Sequence, residues 1–177
     1  MRAYFMRHGQ TDFNRKGLCN SDPRRPVYRN RTGLHQARQA AERLRATPLQ
    51  RIFVSPLPRT GQTAEIVNRY HGAPIDVRPA LNDIRSGHDG RPVGEYQRAI
   101  ADDPLHARPA GGESLIEHKQ RVLGFLDWLR RQPYDTVLVV AHEETLRVFY
   151  AHVHGLDDAQ LPEPGFDNCE IFAADLS

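Results

Sequence analysis

At 177 residues, with 39% hydrophobic and 26% charged positions, the chain has the size and composition of one water-soluble domain spanning residues 1–177. No stretch approaches the roughly 20 apolar residues that a membrane-spanning helix needs, which argues against a membrane protein. The net charge is only +2, and no aromatic residues alternate with the basic ones as stacking platforms, which argues against a nucleic-acid partner.

Of the basic residues only Lys16 and Lys119 are lysines; the rest are arginines. Cys19 and Cys169 show neither metal nor redox spacing. The N-terminus lacks the long apolar core of a signal peptide. A reduced, cytoplasmic protein is the expectation.

Ala3 to Met6 is a short apolar run that reads as a β-strand. It ends in Arg7-His8-Gly9, and Thr11 and Asn14 follow. The carboxyl end of a strand is where α/β folds bind their ligands. A His there, beside an Arg, is placed to attack an anionic group, and Gly9 is expected to let a substrate approach the backbone. A Pro- and Arg-rich loop runs on to about Asn30. Arg15, Lys16, Arg24, Arg25, Arg29 and Arg31 form a basic cluster that either steers an anionic substrate or is simply a solvated loop.

Thr32 is the predicted N-cap of a helix with apolar spacing at Leu34, Ala37, Ala41 and Leu44. Arg51 to Ser55 reads as a buried strand, Pro56 to Tyr70 as a helix with Ala64 and Val67 inward, and Ile75 to Val77 as a short strand. Residues 80–112 are irregular apart from a predicted helix around Val93 to Ala101. Ser114 to Arg131 is a long amphipathic helix, apolar at Leu115, Val122, Phe125 and Leu129. Thr136 to Ala141 is the clearest buried strand, Glu143 to His154 a helix, and Glu170 to Ala174 a final strand. Strands alternating with helices predict an α/β fold, a three-layer α/β/α arrangement on a mostly parallel sheet. No P-loop or G-x-G-x-x-G is present, so no nucleotide cofactor is implied.

The segment Arg7-His8-Gly9-Gln10-Thr11-Asp12-Phe13-Asn14 resembles the R-H-G-x-T-x-x-N signature of the histidine phosphatase superfamily, the phosphoglycerate mutase-like proteins. Three further segments, in the same order along the chain, resemble the same family. Ser55 to Ala64 resembles S-x-L-x-R-x-x-Q-T-A and puts Arg59 in the first turn of a helix, where a guanidinium offers bidentate donors to phosphate. Val140 to Arg147 resembles V-x-H-G-x-x-x-R and puts His142 at a strand end and a helix N-terminus, which favours anions. Leu81 to Gly87 resembles L-x-E-x-x-x-G, with Asp83 where the family usually has the Glu that serves as general acid. Gly111-Gly112-Glu113-Ser114 resembles G-G-E-S; Glu113 and Ser114 are read as turn and capping residues.

The resemblance implies a mechanism. His8 attacks phosphorus to form a phosphohistidine, while Arg7, Arg59 and His142 neutralise the phosphoryl oxygens and Asn14 adds a hydrogen bond. Asp83 protonates the leaving group, and Thr11 and Glu143 complete the substrate-binding set. No metal is required, because cationic side chains take that part. His35, His71, His88, His106 and His118 have no ligand spacing. His152 and His154 sit near a helix C-terminus, where a protonated His is favourable.

Three functions stand side by side. The first is a phosphomonoesterase acting on a small phosphorylated metabolite. The second is a phosphoglycerate mutase-type transferase, for whose enclosing lid the chain is short. The third is a weak catalyst that binds phosphorylated ligands. Glu143 and Glu144 depart most from the family, which usually has Gly directly after its second His. Their carboxylates either disfavour substrates with further negative groups or point to solvent and merely start the helix. The natural substrate, and the choice between monomer and homodimer, are left open.

Overall fold

The computed structural model describes residues 1–176. Five strands form one sheet in the order β3-β2-β4-β1-β5. They are β1 (Arg2–Arg7), β2 (Arg51–Val54), β3 (Ile75–Val77), β4 (Thr136–Ala141) and β5 (Ile171–Asp175). All pairings are parallel except that of β5, which runs antiparallel to β1 at the sheet edge. β4 sits in the middle. Its Val137-Leu138-Val139-Val140-Ala141 run is wholly buried, as a strand covered on both faces must be.

Alternation along the strands divides the core between the two faces. Phe5, Phe53 and Val139 point to one side, where α5 (Leu115–Arg130) and α6 (Glu143–His154) pack through Phe125, Leu126, Leu129 and Phe149. Met6, Ile52, Val54 and Val140 point to the other, where α2 (Arg31–Leu44) and α3 (Pro58–Val67) pack through Ala37, Ala41, Ala64 and Val67. The three-layer α/β/α arrangement is thus present. Short helices α1 (Asp12–Lys16) and α4 (Val93–Ala99) lie in the two long connections.

Local chemistry moves several boundaries from their predicted places. Asn30, not Thr32, caps α2: its side chain accepts the Gly33 amide at 2.9 Å, and Thr32 falls inside the first turn. α3 starts at Pro58 rather than Pro56, because a residue before proline is driven out of the helical region and Leu57 is extended at ψ 128°. Its last turn tightens into a 3₁₀ turn over Asn68–Tyr70. α4 ends at Ala99, and β5 begins one residue later than predicted.

Gly9 also has a packing role. A Cβ on Gly9 would lie 2.6 Å from the Gly33 carbonyl oxygen, and one on Gly33 would lie 2.3 Å from that of Gln10. Gly9 therefore allows close packing of the β1–α1 turn on the start of α2.

Candidate active site

Register places the central pair. Arg7 pairs with Ala141 across β1 and β4, so His8 and His142 leave the sheet side by side, with His8 N–H donating to the Ala141 carbonyl at 3.0 Å. Their ring centroids are 5.2 Å apart and the rings meet edge-on. Both are buried, His8 to 2% and His142 to 1% exposure. The first turn of α3 brings Arg59 between them.

The hydrogen bonds assign the tautomer of each ring. His8 Nδ1–H donates to the Gly9 carbonyl at 2.8 Å, and Arg59 Nε–H donates to His8 Nε2 at 3.1 Å. Nε2 therefore carries the lone pair. Burial, reinforced by Arg59, holds the His8 pKa well below the ordinary value, so the ring is neutral at physiological pH. His142 presents Nε2 to Ser55 Oγ at 2.8 Å and Nδ1 to the Arg59 guanidinium at 3.4 Å. Burial, and then Arg59, lower its pKa in the same way.

Arg59 is 4% exposed. It also donates to Asn20 Oδ1 at 2.6 Å, to the Asn20 carbonyl at 2.9 Å and to Asp83 Oδ2 at 3.3 Å. Asp83 Oδ2 lies 3.7 Å from His142 Nδ1. The Asp83 carboxyl is pushed up to about 7, by burial and then by the charge of Glu144, against the pull of Arg59. A carboxyl at that value still holds its proton through much of the neutral range.

Arg7 Nη1 donates to the Phe166 carbonyl and pairs with Glu143 Oε2 at 3.0 Å. Its buried Nε–H has no partner among the described residues. Glu143 also reaches Arg147 at 3.0 Å, and Glu144 reaches Arg147 at 3.6 Å. Both glutamates line the cleft, so the reading in which they merely point to solvent does not hold. α6 begins at His142 with no side-chain cap, so its first amides are open to an anion.

The structure brings together Arg7, His8, Arg59, Asp83, His142 and Glu143, with Asn14 and Thr11 on the wall. Thr11 is mainly a helix cap: its Oγ1 accepts the Asn14 amide, and Asn14 Oδ1 accepts the Thr11 amide in return, both at 3.0 Å. The basic cluster stands apart. None of Arg15, Lys16, Arg24, Arg25, Arg29 and Arg31 lines the cleft; Arg15 faces Asp12 and Arg24 faces Asp22.

Sequence reasoning missed Asn20, Tyr96 and Cys19, which line the cleft from loops and a short helix and carry no periodic signal. It also misjudged Glu113. Ser114 does cap α5, in a capping box with Glu117, but Glu113 is 2% exposed and pairs with Arg85, His118 and Arg121. His152 differs as well. Burial and Arg130, which donates to its Nε2 at 2.8 Å, lower its pKa, so it is a neutral acceptor and not a cation at the helix end.

Two strand-end imidazoles, joined by a buried guanidinium and faced by a carboxyl, thus form one cleft at the carboxyl end of the sheet. The model of the histidine phosphatase superfamily (branch 1) matches residues 3–177, and the chain belongs to that family. It is 29% identical to the adenosylcobalamin/alpha-ribazole phosphatase of Escherichia coli, over 88% of this chain and 80% of that protein. It is equally 29% identical to a probable phosphoglycerate mutase, GpmB, of Enterobacter sp., over 99% of this chain and 85% of that one. The crystal structure of the alpha-ribazole phosphatase from Shigella flexneri superposes with a TM-score of 0.90 at 26% identity, covering 100% of this chain and 91% of that one. No helix of the described residues is long and apolar enough to cross a membrane.

Proposed function

We propose that this protein is a phosphomonoesterase that hydrolyses a small phosphorylated molecule through a phosphohistidine on His8. The observation that carries this reading is the unprotonated His8 Nε2 facing Arg59, with His142 and Asp83 within reach of the same guanidinium. The relatives named as phosphatases agree with it.

As Arg59 Nε–H turns from His8 Nε2 to a phosphoryl oxygen, the freed Nε2 lone pair attacks phosphorus and the bond to the leaving oxygen breaks. Arg59, the free Nε–H of Arg7 and the first amides of α6 surround the phosphoryl oxygens, so the charge is met by donors already in place; His142 joins them by moving its proton to Nδ1, with the Ser55 hydroxyl then donating to Nε2. The Asp83 carboxyl gives its proton to the departing alkoxide. The resulting carboxylate then takes a proton from a water whose oxygen attacks phosphorus; the P–N bond breaks with its electron pair returning to Nε2, which releases phosphate and restores neutral His8. Thr11 and Asn14 shape the wall beside His8. No cofactor or metal enters this scheme, and activity is expected to survive EDTA.

The cleft measures about 140 Å³, below the roughly 300–1,000 Å³ of pockets that enclose a whole drug-sized ligand. It suits a phosphoryl group, with the rest of the substrate against Phe13, Leu18, Val93 and Tyr96. Hydrolysis is favoured over phosphoglycerate mutase chemistry by the glutamates. A substrate carboxylate needs its own cation, yet Glu143 already holds Arg7 and Arg147. Two like charges about 4 Å apart repel by roughly 1 kcal/mol in water and about 4 kcal/mol at a protein surface.

The test compares glycerol 3-phosphate with 3-phosphoglycerate, which differ by a hydroxymethyl group against a carboxylate. Hydrolysis of the former with kcat/KM at least about tenfold higher is expected from that repulsion. An acid-labile phosphoenzyme is expected during turnover. Isomerisation of 3-phosphoglycerate in preference to hydrolysis would overturn the reading, and so would turnover without a phosphoenzyme.

A further inference from the structure

The acid arm of the site has no strand beneath it. Asp83 lies in an irregular connection between the 3₁₀ turn Pro79–Leu81 and α4, so no sheet ladder holds its backbone. Aspartate is also one methylene shorter than the glutamate the family usually carries. Its reach therefore depends on where the backbone stands.

One side chain spans that backbone. Arg121 projects from α5 and donates through Nη1 to the carbonyls of Ala80 at 2.8 Å and Asn82 at 3.0 Å, and through Nη2 to that of Asp83 at 3.5 Å. Glu113 holds the guanidinium from the other side, and His118 Nδ1 accepts from it at 2.9 Å. Glu113 continues the clamp past Asp83. Its Oε1 accepts the Arg85 amide at 3.2 Å, and its own amide donates to the Arg85 carbonyl at 2.7 Å. The fit is tight, since a Cβ on Gly112 would stand 2.4 Å from the Arg85 carbonyl oxygen.

We propose that Arg121, held by Glu113, is a positioning residue for Asp83 that sets the reach of the general acid toward the leaving oxygen. The proposal rests on the reading of Asp83 as that acid. Stability alone is a poor reason for such a cluster, because a buried ion pair is often matched or bettered by apolar residues of the same volume. Although burial opposes ionisation, the Arg121 guanidinium beside it helps bring the Glu113 carboxyl down to about 2. The clamp therefore stays charged wherever the enzyme works. A displacement of about 1 Å in a reacting group can cost on the order of a hundredfold in rate, so small movements of this loop matter.

The experiment measures kcat of Arg121→Gln on two substrates. Glycerol 3-phosphate leaves as an alkoxide that needs a proton; p-nitrophenyl phosphate leaves as a stable phenolate that does not. Arg121→Gln should slow the first about tenfold or more and the second less than about twofold, with vanadate affinity unchanged. Arg121→Lys should restore part of the loss. If Arg121→Gln fails to fold, Glu113→Gln, which loosens the guanidinium at constant size, is expected to show the same split.

Adding Arg121→Gln to Asp83→Asn should cost nothing further on glycerol 3-phosphate, because the two act as one unit. Equal losses on both substrates, or none on either, would overturn the brace. If Asp83→Asn shows the split and the Arg121 and Glu113 variants do not, the brace alone falls. If Asp83→Asn shows no split, the acid lies elsewhere and both readings fall.

Discussion

The two halves of the cleft are built by different means. His8, Arg59 and His142 stand at strand ends or in the helix turn that follows one. Backbone ladders fix their positions, and they are nearly shut off from water. Asp83 stands in a loop with 19% of its side chain exposed and is held by side chains reaching across from α5. The first half is specified by local pattern and register. The second is specified by a polar cluster assembled from residues far apart in the chain. The strand-end half should therefore tolerate little change in backbone packing, and the loop half should respond to distant side chains and to pH.

The largest expected effect tests the strand-end half. His8→Ala should lower turnover by on the order of a thousandfold or more, as loss of a nucleophile does in catalytic triads. The phosphoenzyme should disappear on acid-quench gels. Near-normal turnover would remove His8 from the mechanism.

Next comes the loop half. Asp83→Asn should slow glycerol 3-phosphate by about a hundredfold or more, the range of general acid catalysis, and p-nitrophenyl phosphate far less. In the unaltered enzyme the ratio of the two kcat values should decline as pH rises through about 7, where Asp83 loses its proton. A folded-state pKa above the ordinary 3.8 means the native state binds that proton more tightly than the unfolded chain. Asp83 therefore contributes stability below pH 4 that is lost as pH rises toward 7. Asp83→Asn should flatten that part of the pH–stability curve. A ratio that ignores pH would contradict the assignment.

Gly33→Ala probes the packing under His8. Alanine improves helix propensity by about 1 kcal/mol over glycine, but the new Cβ would meet the Gln10 carbonyl oxygen at 2.3 Å. The clash should win, with a net loss of about 1–3 kcal/mol in urea unfolding. An unchanged midpoint would show that the turn can shift. Ser55→Ala is the gentlest test. Without Oγ to accept from Nε2, His142 loses its tether, and kcat/KM should drop about fivefold, the equivalent of roughly 1 kcal/mol.

This division also explains what could be read in the residues themselves. Runs such as Val137 to Ala141, and the helix spacing of Ala37, Ala41 and Leu44, announce a layered α/β fold because hydrophobic periodicity is a local property. His8 and His142 were legible because each directly follows such a run, and Arg59 because it opens the helix after another. Asn20 and the Glu113–Arg121 clamp were not, since Asn20 meets Arg59, and Arg121 meets the Ala80 and Asn82 carbonyls, tens of residues away in the chain; Tyr96 sits on a short helix with no periodic signal. The same holds for Gly9, whose partner Gly33 is visible only once α2 is docked. Glu143 was legible as a first-turn residue of α6, but its pairing with Arg7 depends on α6 starting where β4 ends.

The register of Arg7 with Ala141 carries a further consequence. Adjacent strands in any sheet lie about 4.8 Å apart, and the imidazoles that extend these two strands stand 5.2 Å apart. The gauge between them thus follows the strand spacing of the backbone, with Arg59 and Ser55 holding the ring orientations. Phe13, Leu18, Val93 and Tyr96 sit off those strands, on the rim. Under the proposed function, a descendant of this protein could trade them to accept a new substrate while the spacing of the two imidazoles stayed the same.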